Sequence, residues 1–214
     1  MYRRIADICT YYIDGIEHNY WSSIKTRIMS KINQIVNLLQ SQALTDMLLV
    51  GYIEQDDTIK RFNPIQEEVY LEFGHSLLRC SSINQYDKLR IRIVDKMAFD
   101  FGFEIEEGDE LGICSIFNMY LFDPYGTNQI TAAQFLLDEE CNLDEGVVKC
   151  AGFSIGSKDY LFLDPTHTFG IQINGKRSLR EWIEKKGYGK PEYREFVWNG
   201  SEGKTELKPI SLIT

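Results

Sequence analysis

The chain has 214 residues, 43% of them hydrophobic and 26% charged, which is enough for one well-packed core and is ordinary for a globular protein. No apolar run approaches the roughly 18 residues of a membrane helix, and the start, MYRRIADICTYYID, lacks the apolar segment of a secretory signal. We therefore expect a cytoplasmic protein, bacterial or delivered into a target cell, with no membrane partner.

The N-terminal part of the sequence predicts helices. In WSSIKTRIMSKINQIVNLLQSQAL, isoleucine and leucine recur every three or four residues, which is typical of an amphipathic helix. The polar stretch GYIEQDDTIKRFNP then marks a domain boundary, so residues 1–60 are predicted as a helical N-terminal region. Asn63 and Pro64 favour the start of a second helix that continues to about Leu78.

The later part of the sequence predicts mainly strands. Alternation of apolar and polar residues predicts strands in KLRIRIVD and AFDFGFEI. ICSIFNMYLF is apolar nearly all round and suits either a buried helix or a buried strand, whereas QITAAQFLLDEE predicts a helix. The final predicted elements begin with three consecutive antiparallel strands, VVKCAGFSI, DYLFLD and FGIQI, with the second turn at Asp164. A short helix, SLREWIEKK, follows, and REFVW and TELKPI form a closing hairpin.

Together these elements predict an α+β fold, with N-terminal helices followed by an antiparallel sheet and an α+β core at residues 61–214. The five cysteines do not predict a disulfide framework or a zinc site, because their number is odd and none has C-x-x-C spacing. With only three histidines in the chain, neither a metal nor a cofactor is expected.

The net charge of −9 is unevenly distributed. Residues 98–145, which we call the acidic belt, contain twelve Asp or Glu and no Lys or Arg, whereas residues 176–190 contain six Lys or Arg. The belt would repel phosphate backbones, so it disfavours nucleic acid as a partner and suits a protein partner with a basic surface. The alternative is that the belt is a solvated face that only keeps the protein soluble. The candidate binding residues are Glu104, Glu106, Glu107, Asp109, Glu110, Asp138, Glu139 and Glu140.

One group of residues suggests nucleophilic catalysis. A thiol nucleophile needs a position that stabilises the thiolate, a base within hydrogen-bond reach, and a group that orients the base. Cys114 follows Gly112 at the possible start of a buried helix, where the helix dipole would favour the thiolate. Asp164 ends a predicted strand about fifty residues later, where it could orient a histidine or simply hold the Asp-Pro turn.

These pieces resemble the YopT-type effector peptidases over roughly residues 110–186. The matching pieces are Gly112 to Cys114, CAGFSI, YLFLDPT and SLREWI. The resemblance implies a papain-like scaffold that attacks an amide, as a peptidase or glutamine deamidase, with Cys114 as nucleophile and Asp164 as orienting carboxylate. Cys150 occupies the position where the family has its histidine, so His167, the only histidine downstream, is the remaining candidate base.

A second resemblance points to a protein without catalysis. IGSKDYLFLDP followed by SLREWIEKKGY is similar to the end of SUKH-type immunity proteins, in which a strand pair ending in an acidic residue leads to a helix with an aromatic side chain. This resemblance implies an acidic binding protein that blocks a basic toxin, and Cys114 would then be inert. The sequence thus leaves two alternatives, a cysteine hydrolase with an incomplete triad and a non-enzymatic inhibitor.

Overall fold

A computed structural model of the chain describes residues 12–13, 16–17, 30–55, 59–99, 108–120, 128–167, 170–187 and 193–210. The described part is built mainly from antiparallel strands, with two α-helices, α1 (Ser30–Ser41) and α2 (Lys176–Trp182). The strands are β1 (Tyr12–Ile13), β2 (Ile16–Glu17), β3 (Asp46–Gln55), β4 (Lys60–Pro64), β5 (Glu68–Phe73), β6 (Ser76–Ile83), β7 (Lys88–Val94), β8 (Glu110–Ser115), β9 (Ile130–Leu137), β10 (Val147–Val148), β11 (Cys150–Ile155), β12 (Asp159–His167), β13 (Gly170–Asn174), β14 (Arg194–Asn199) and β15 (Lys204–Pro209).

The first sheet contains β3 to β8 and β10, in the order β10-β7-β6-β5-β3-β4, with β8 also paired to β3. Residues 46–48 of β3 pair with β5 and residues 51–55 pair with β4, while β8 pairs with residues 48–53. Because a strand has only two edges, the overlap places β4 and β5 on one edge of β3 and β8 on the other. Among the described strands, β8 is therefore an outer strand of the first sheet.

The second sheet has the order β13-β12-β11-β9-β14-β15, and all of its described pairs are antiparallel. The hairpins β11–β12, β12–β13 and β14–β15 join neighbours in sequence. Helix α2 and a π-helical turn at Ile183–Gly187 follow β13, and a 3-10 turn at Phe117–Tyr120 follows β8.

The main core lies between the two sheets and beneath α1. Phe135 of β9 packs edge-to-face on Phe153 of β11, with ring centroids 6.1 Å apart, and both side chains are fully buried with Ile32 and Leu39 of α1 in the same cluster. Side chains alternate between the faces of a strand, so Leu136 points to the opposite face of the second sheet. There it packs in a smaller cluster with Trp182 and other residues of α2.

The predicted α+β fold on a papain-like scaffold is wrong. The described helices have only 12 and 7 residues, and antiparallel sheets form the rest of the regular structure apart from short 3-10 and π turns. The helix predicted from Pro64 to Leu78 is instead the end of β4, then β5 and β6. The helix predicted in QITAAQFLLDEE is mostly β9, a central strand.

The C-terminal predictions fared better. The antiparallel order of β11, β12 and β13 is confirmed, as are a short helix after β13 and the closing hairpin. The first predicted strand, VVKCAGFSI, is however divided, because Val147–Val148 form β10 and pair with β7 in the first sheet. Asp164, however, lies within β12 opposite Gln172, and the chain turns only after His167. Strand β7 is confirmed in KLRIRIVD, whereas most of the strand predicted in AFDFGFEI, residues 100–105, lies outside the described residues.

The predicted domain boundary after residue 60 falls at the start of β4, whose residues 60–64 pair with residues 51–55 of β3. Of the predicted helical region at residues 1–60, the structure describes one helix, α1, followed by β3. Strand β3 contacts three other strands of the first sheet. The link between the two predicted regions is thus a hairpin inside one sheet.

Candidate functional site

Cys114 lies on strand β8, not at the start of a helix. It pairs with Leu49 of β3, its side chain is half-buried against the main core, and its Sγ lies 3.6 Å from the carbonyl oxygen of Ser115. A strand offers no aligned helix dipole to stabilise a thiolate. The structural feature that made Cys114 a candidate nucleophile is therefore missing from its surroundings.

Asp164 lies in the second sheet, so the two proposed catalytic residues belong to different sheets. Its Oδ1 accepts hydrogen bonds from the Thr166 backbone N–H at 2.9 Å and from the Thr166 hydroxyl at 2.5 Å. The Cys150 thiol donates to the same oxygen at 3.6 Å. Lys186 in turn donates to the Thr166 hydroxyl at 3.1 Å. Asp164 thus fixes the backbone of its own strand and contacts Cys150 rather than Cys114.

Cys150 does occupy the position opposite Asp164 that the YopT resemblance assigned to a histidine. It is fully buried, and its pKa is raised well above the usual range, first by burial and then by the nearby Asp164 carboxylate. A protonated thiol cannot act as a base at neutral pH. The backbone of His167 ends β12 opposite Gly170, and its side chain lies outside the described part of the structure.

The acidic belt is only partly available to a partner. Glu104, Glu106 and Glu107 lie outside the described residues. Asp138 is engaged internally, with its side chain 12% exposed and its Oδ2 2.9 Å from the Lys88 ammonium. Of the candidate binding residues that the structure describes, three have exposed side chains, namely Glu110, Glu139 and Glu140, and Glu140 also binds Lys88 at 3.1 Å.

The internal ion pairs form a cluster that the sequence analysis missed. Lys88 is 1% exposed and contacts Asp87, Asp138 and Glu140, while Lys149 contacts Asp87 and Asp138. Burial works against the Lys88 charge, but the hydrogen bonds that Lys88 donates to the three carboxylates outweigh it and raise the lysine's pKa. Neither lysine stands out in the sequence, because the pairing depends on β7, β10 and the end of β9 meeting in space.

The outer strand β8 presents the most accessible apolar side chains of the first sheet. Leu111 and Ile113 are 49% and 50% exposed, and they share a face because they are two residues apart. Opposite them on β3 lie Tyr52 and the buried Val50. The alternation in ELGICS was a readable signal for this strand, but the apolar run that follows it, IFNMYLF, obscured where the strand ends.

Acidic side chains flank this strand at both ends. Asp109 and Glu110 stand at its start, where the backbone and side chain of Gln55 donate to them. At its end, the Ser115 hydroxyl donates to Asp46 at 2.7 Å. Since residues 98–145 contain no Lys or Arg, no cation of this segment offsets these charges. We call β8 with Asp46 and Asp109 the acidic edge.

No family model matches the sequence, and no curated protein or solved structure is significantly similar to it. Among the described residues, no group of three or more His, Cys, Asp or Glu side chains is placed to hold a metal ion. No helix of the described part has both the length and the apolar character needed to cross a membrane.

Proposed function

We propose that the protein is a non-enzymatic binding module whose acidic edge receives an extended, basic segment of a partner protein. The observation that carries the proposal is the pairing of β8: among the described strands it pairs with β3 alone. An outer strand offers N–H and C=O groups to an added strand, and addition of a partner strand to a sheet edge is a recurrent mode of recognition. The half-exposed Leu111 and Ile113 supply apolar contact beside that backbone.

The two faces of β8 define the chemistry of the partner segment. Leu111 and Ile113 point to one face, so the residues of an added strand beside them should be apolar. Glu110 points to the opposite face, where basic residues of the added strand would meet it. A segment that alternates apolar and basic residues therefore complements the acidic edge, and the excess negative charge of the belt would steer its approach.

An inhibitor that blocks a basic toxin, as immunity proteins do, is the biological role that this chemistry suits. Such a protein needs charge complementarity and an anchoring surface but no nucleophile. A cysteine hydrolase receives no support from the geometry, because Cys114 and Asp164 lie in different sheets and the residue facing Asp164 is a buried, protonated thiol.

A labelled peptide of alternating valine and lysine, about ten residues long so that it spans β8 at the usual strand rise, tests the proposal. Fluorescence anisotropy should show binding that weakens at least about tenfold when salt is raised from about 50 to 500 mM, because exposed charges are screened. An otherwise identical valine–glutamate peptide should bind much more weakly, since like charges repel it from the acidic edge.

Variants locate the binding surface. Ile113→Lys and Glu110→Lys should each weaken the lysine peptide about tenfold or more. Leu207→Lys is the matched control, because Leu207 is 51% exposed on β15, an outer strand of the other sheet. Peptide affinity that ignores the β8 variants, or that is equal for the lysine and glutamate peptides, would refute the proposed edge.

A further inference from the structure

A cavity of about 260 Å³ opens between the two sheets, just beyond the end of β8. Its volume is below the roughly 300–1,000 Å³ of typical small-molecule sites, so it suits one large side chain better than a cofactor. Among the residues that the structure describes, its walls are mainly apolar and carry no charged group, which disfavours a basic or acidic occupant. The lining residues are Leu49, Gln66, Ile116, Met119, Ile171, Gln172 and Ile173.

The cavity has a firm floor and an adaptable rim. Ile116 and Ile171 are 5% and 7% exposed, and their backbone N–H groups donate to Met47 at 2.8 Å and to Gln66 at 2.7 Å. Met119 is 75% exposed, and methionine side chains adapt to irregular contacts because they are unbranched and flexible. The floor is therefore preformed, and a partner would need to order only the rim.

The cavity is continuous with the acidic edge along the chain. Ile116 directly follows Ser115, the last residue of β8, and Met119 comes three residues later in the 3-10 turn. A strand added beside β8 advances about 3.3 Å per residue, so continuing one or two residues past Ser115 brings it to this turn. The residue at that end of an added segment then lies at the mouth of the cavity.

We propose that this cavity is an anchor pocket for one leucine- or methionine-sized side chain at an end of the partner segment that pairs with β8. This inference rests on the function proposed above and adds a specificity determinant to it. Gln66 and Gln172 are the two polar residues among those that line the cavity, and neither carries a charge. Charge on β8 then sets which segments approach, and the cavity selects among them by side-chain size.

Three versions of the valine–lysine peptide test the anchor: one with leucine at its first position, one with leucine at its last position, and one with alanine at both. Anisotropy should show that one leucine peptide binds about tenfold or more tightly than the alanine peptide, as expected for filling an apolar pocket. Both ends are tested because an added strand can run in either direction along β8.

Met119→Trp fills the mouth of the cavity and should abolish the advantage of leucine over alanine. Leu207→Trp, on the outer strand β15 of the other sheet, is the matched control and should preserve that advantage. Circular dichroism and thermal unfolding of both variants confirm that each is folded, and Met119→Ala, which cannot block the pocket, provides a second variant that should retain at least part of the advantage.

The outcomes separate the two proposals. Equal affinity of all three peptides, with the loss in Ile113→Lys retained, overturns the anchor pocket and leaves the acidic edge intact. A leucine advantage that survives Met119→Trp places the anchor elsewhere and also overturns this inference. Absence of binding by all three peptides at low salt overturns both proposals.

Discussion

The Cys150 thiol lies 3.6 Å from Oδ1 of Asp164, across the paired strands β11 and β12. The same carboxylate oxygen accepts hydrogen bonds from the backbone N–H and the hydroxyl of Thr166, so the buried thiol and Thr166 share one acceptor atom. Burial raises the pKa of Cys150 and the carboxylate raises it further, which keeps the thiol protonated. Among the described residues, Asp164 thus accepts from a neutral thiol and from Thr166, and Cys114 lies in the other sheet.

Replacing Asp164 with alanine should lower the free energy of unfolding by about 1–2 kcal/mol, the scale of lost local hydrogen bonds that leave a donor without its partner. The pKa of Cys150 should fall, because the carboxylate helps to raise it, yet stay above the usual thiol range because burial is the larger cause. Urea unfolding checks the first effect, and thiolate absorbance during alkaline titration checks the second. Asp159→Ala on the same strand is the control, with little expected change.

The rate at which iodoacetamide alkylates Cys114 should be the same in the parent and in Asp164→Ala, because the two residues lie in different sheets. Cys80 and Cys150 are fully buried and should stay unmodified in the folded protein. Mass spectrometry of peptides reports each cysteine separately. If Cys114 reacts more slowly once Asp164 is removed, the two residues are coupled and a catalytic role for them returns.

The sequence predicted elements well where turn residues or a clear periodicity mark them, even for β11, which is as fully buried as β5. The β11–β13 meander and α2 have clear turn or periodicity signals, and both were predicted. Strand β5 was taken for a helix because residues 68–71 are all buried, which removes the alternation that marks a strand. Strand β9 failed for the same reason: it lies centrally between β11 and β14, with Phe135 packed on one face and Leu136 on the other.

The candidate site was harder to predict than the fold. The pairing of residue 150 with Asp164 follows from adjacent strands and was anticipated from the YopT resemblance, although the residue there is cysteine. The position of Cys114 could not be derived, because whether ICSIFNMYLF begins as helix or strand depends on β3, which lies some sixty residues earlier. The lysine cluster at Asp138 likewise depends on contacts between residues 50 or more apart.

Lys88→Met should lower the free energy of unfolding by about 3 kcal/mol, because it leaves the largely buried carboxylate of Asp138 without its closest cation. Equilibrium urea unfolding measures the loss. Lys158→Met is the control, since Lys158 is exposed in the β11–β12 turn, and a change within about 0.5 kcal/mol is expected there. In the double variant with Asp138→Asn, the combined loss should be smaller than the sum of the two single losses, as expected for residues in one network.

The same cluster predicts how stability depends on pH. Burial favours the neutral forms of Asp87 and Asp138, but hydrogen bonds from the lysines outweigh it and lower both pKa values below the usual 3.8. Their contribution is therefore complete above about pH 5 and is lost as the pH falls below 3.8 and through the lower folded-state values. For Lys88, whose pKa is raised above the usual 10.5, the contribution is complete below that value and is lost only above it.

Between about pH 5 and pH 9, the difference in unfolding free energy between the parent and Lys88→Met should accordingly stay constant, and it should shrink in acid below the usual carboxyl pKa of 3.8. Urea unfolding of both proteins across this range tests the expectation. A difference that varies strongly between pH 6 and pH 8 would mean that a group other than these carboxylates and the lysine controls the cluster.

Gly170→Ala should lower the free energy of unfolding by more than about 2 kcal/mol, because it adds both backbone strain and a steric clash. Gly170 has φ +112°, a conformation that alanine rarely adopts, and an added Cβ would lie 2.4 Å from the backbone carbonyl of Gln66. That contact accompanies the hydrogen bond from Ile171 to Gln66, which joins the second sheet to the segment before β5 and holds the floor of the cavity.

Gly156→Ala is the matched control for Gly170→Ala, because Gly156 has φ +55° with no atom within 4 Å of an added Cβ. It therefore carries the backbone strain without the clash, and it should lower the free energy of unfolding by about 1 kcal/mol. Thermal unfolding and urea titration of both variants measure the difference. Equal losses in the two variants would mean that the segment around Gln66 moves freely away from β13, and the cavity would then lack the preformed floor on which the anchor pocket depends.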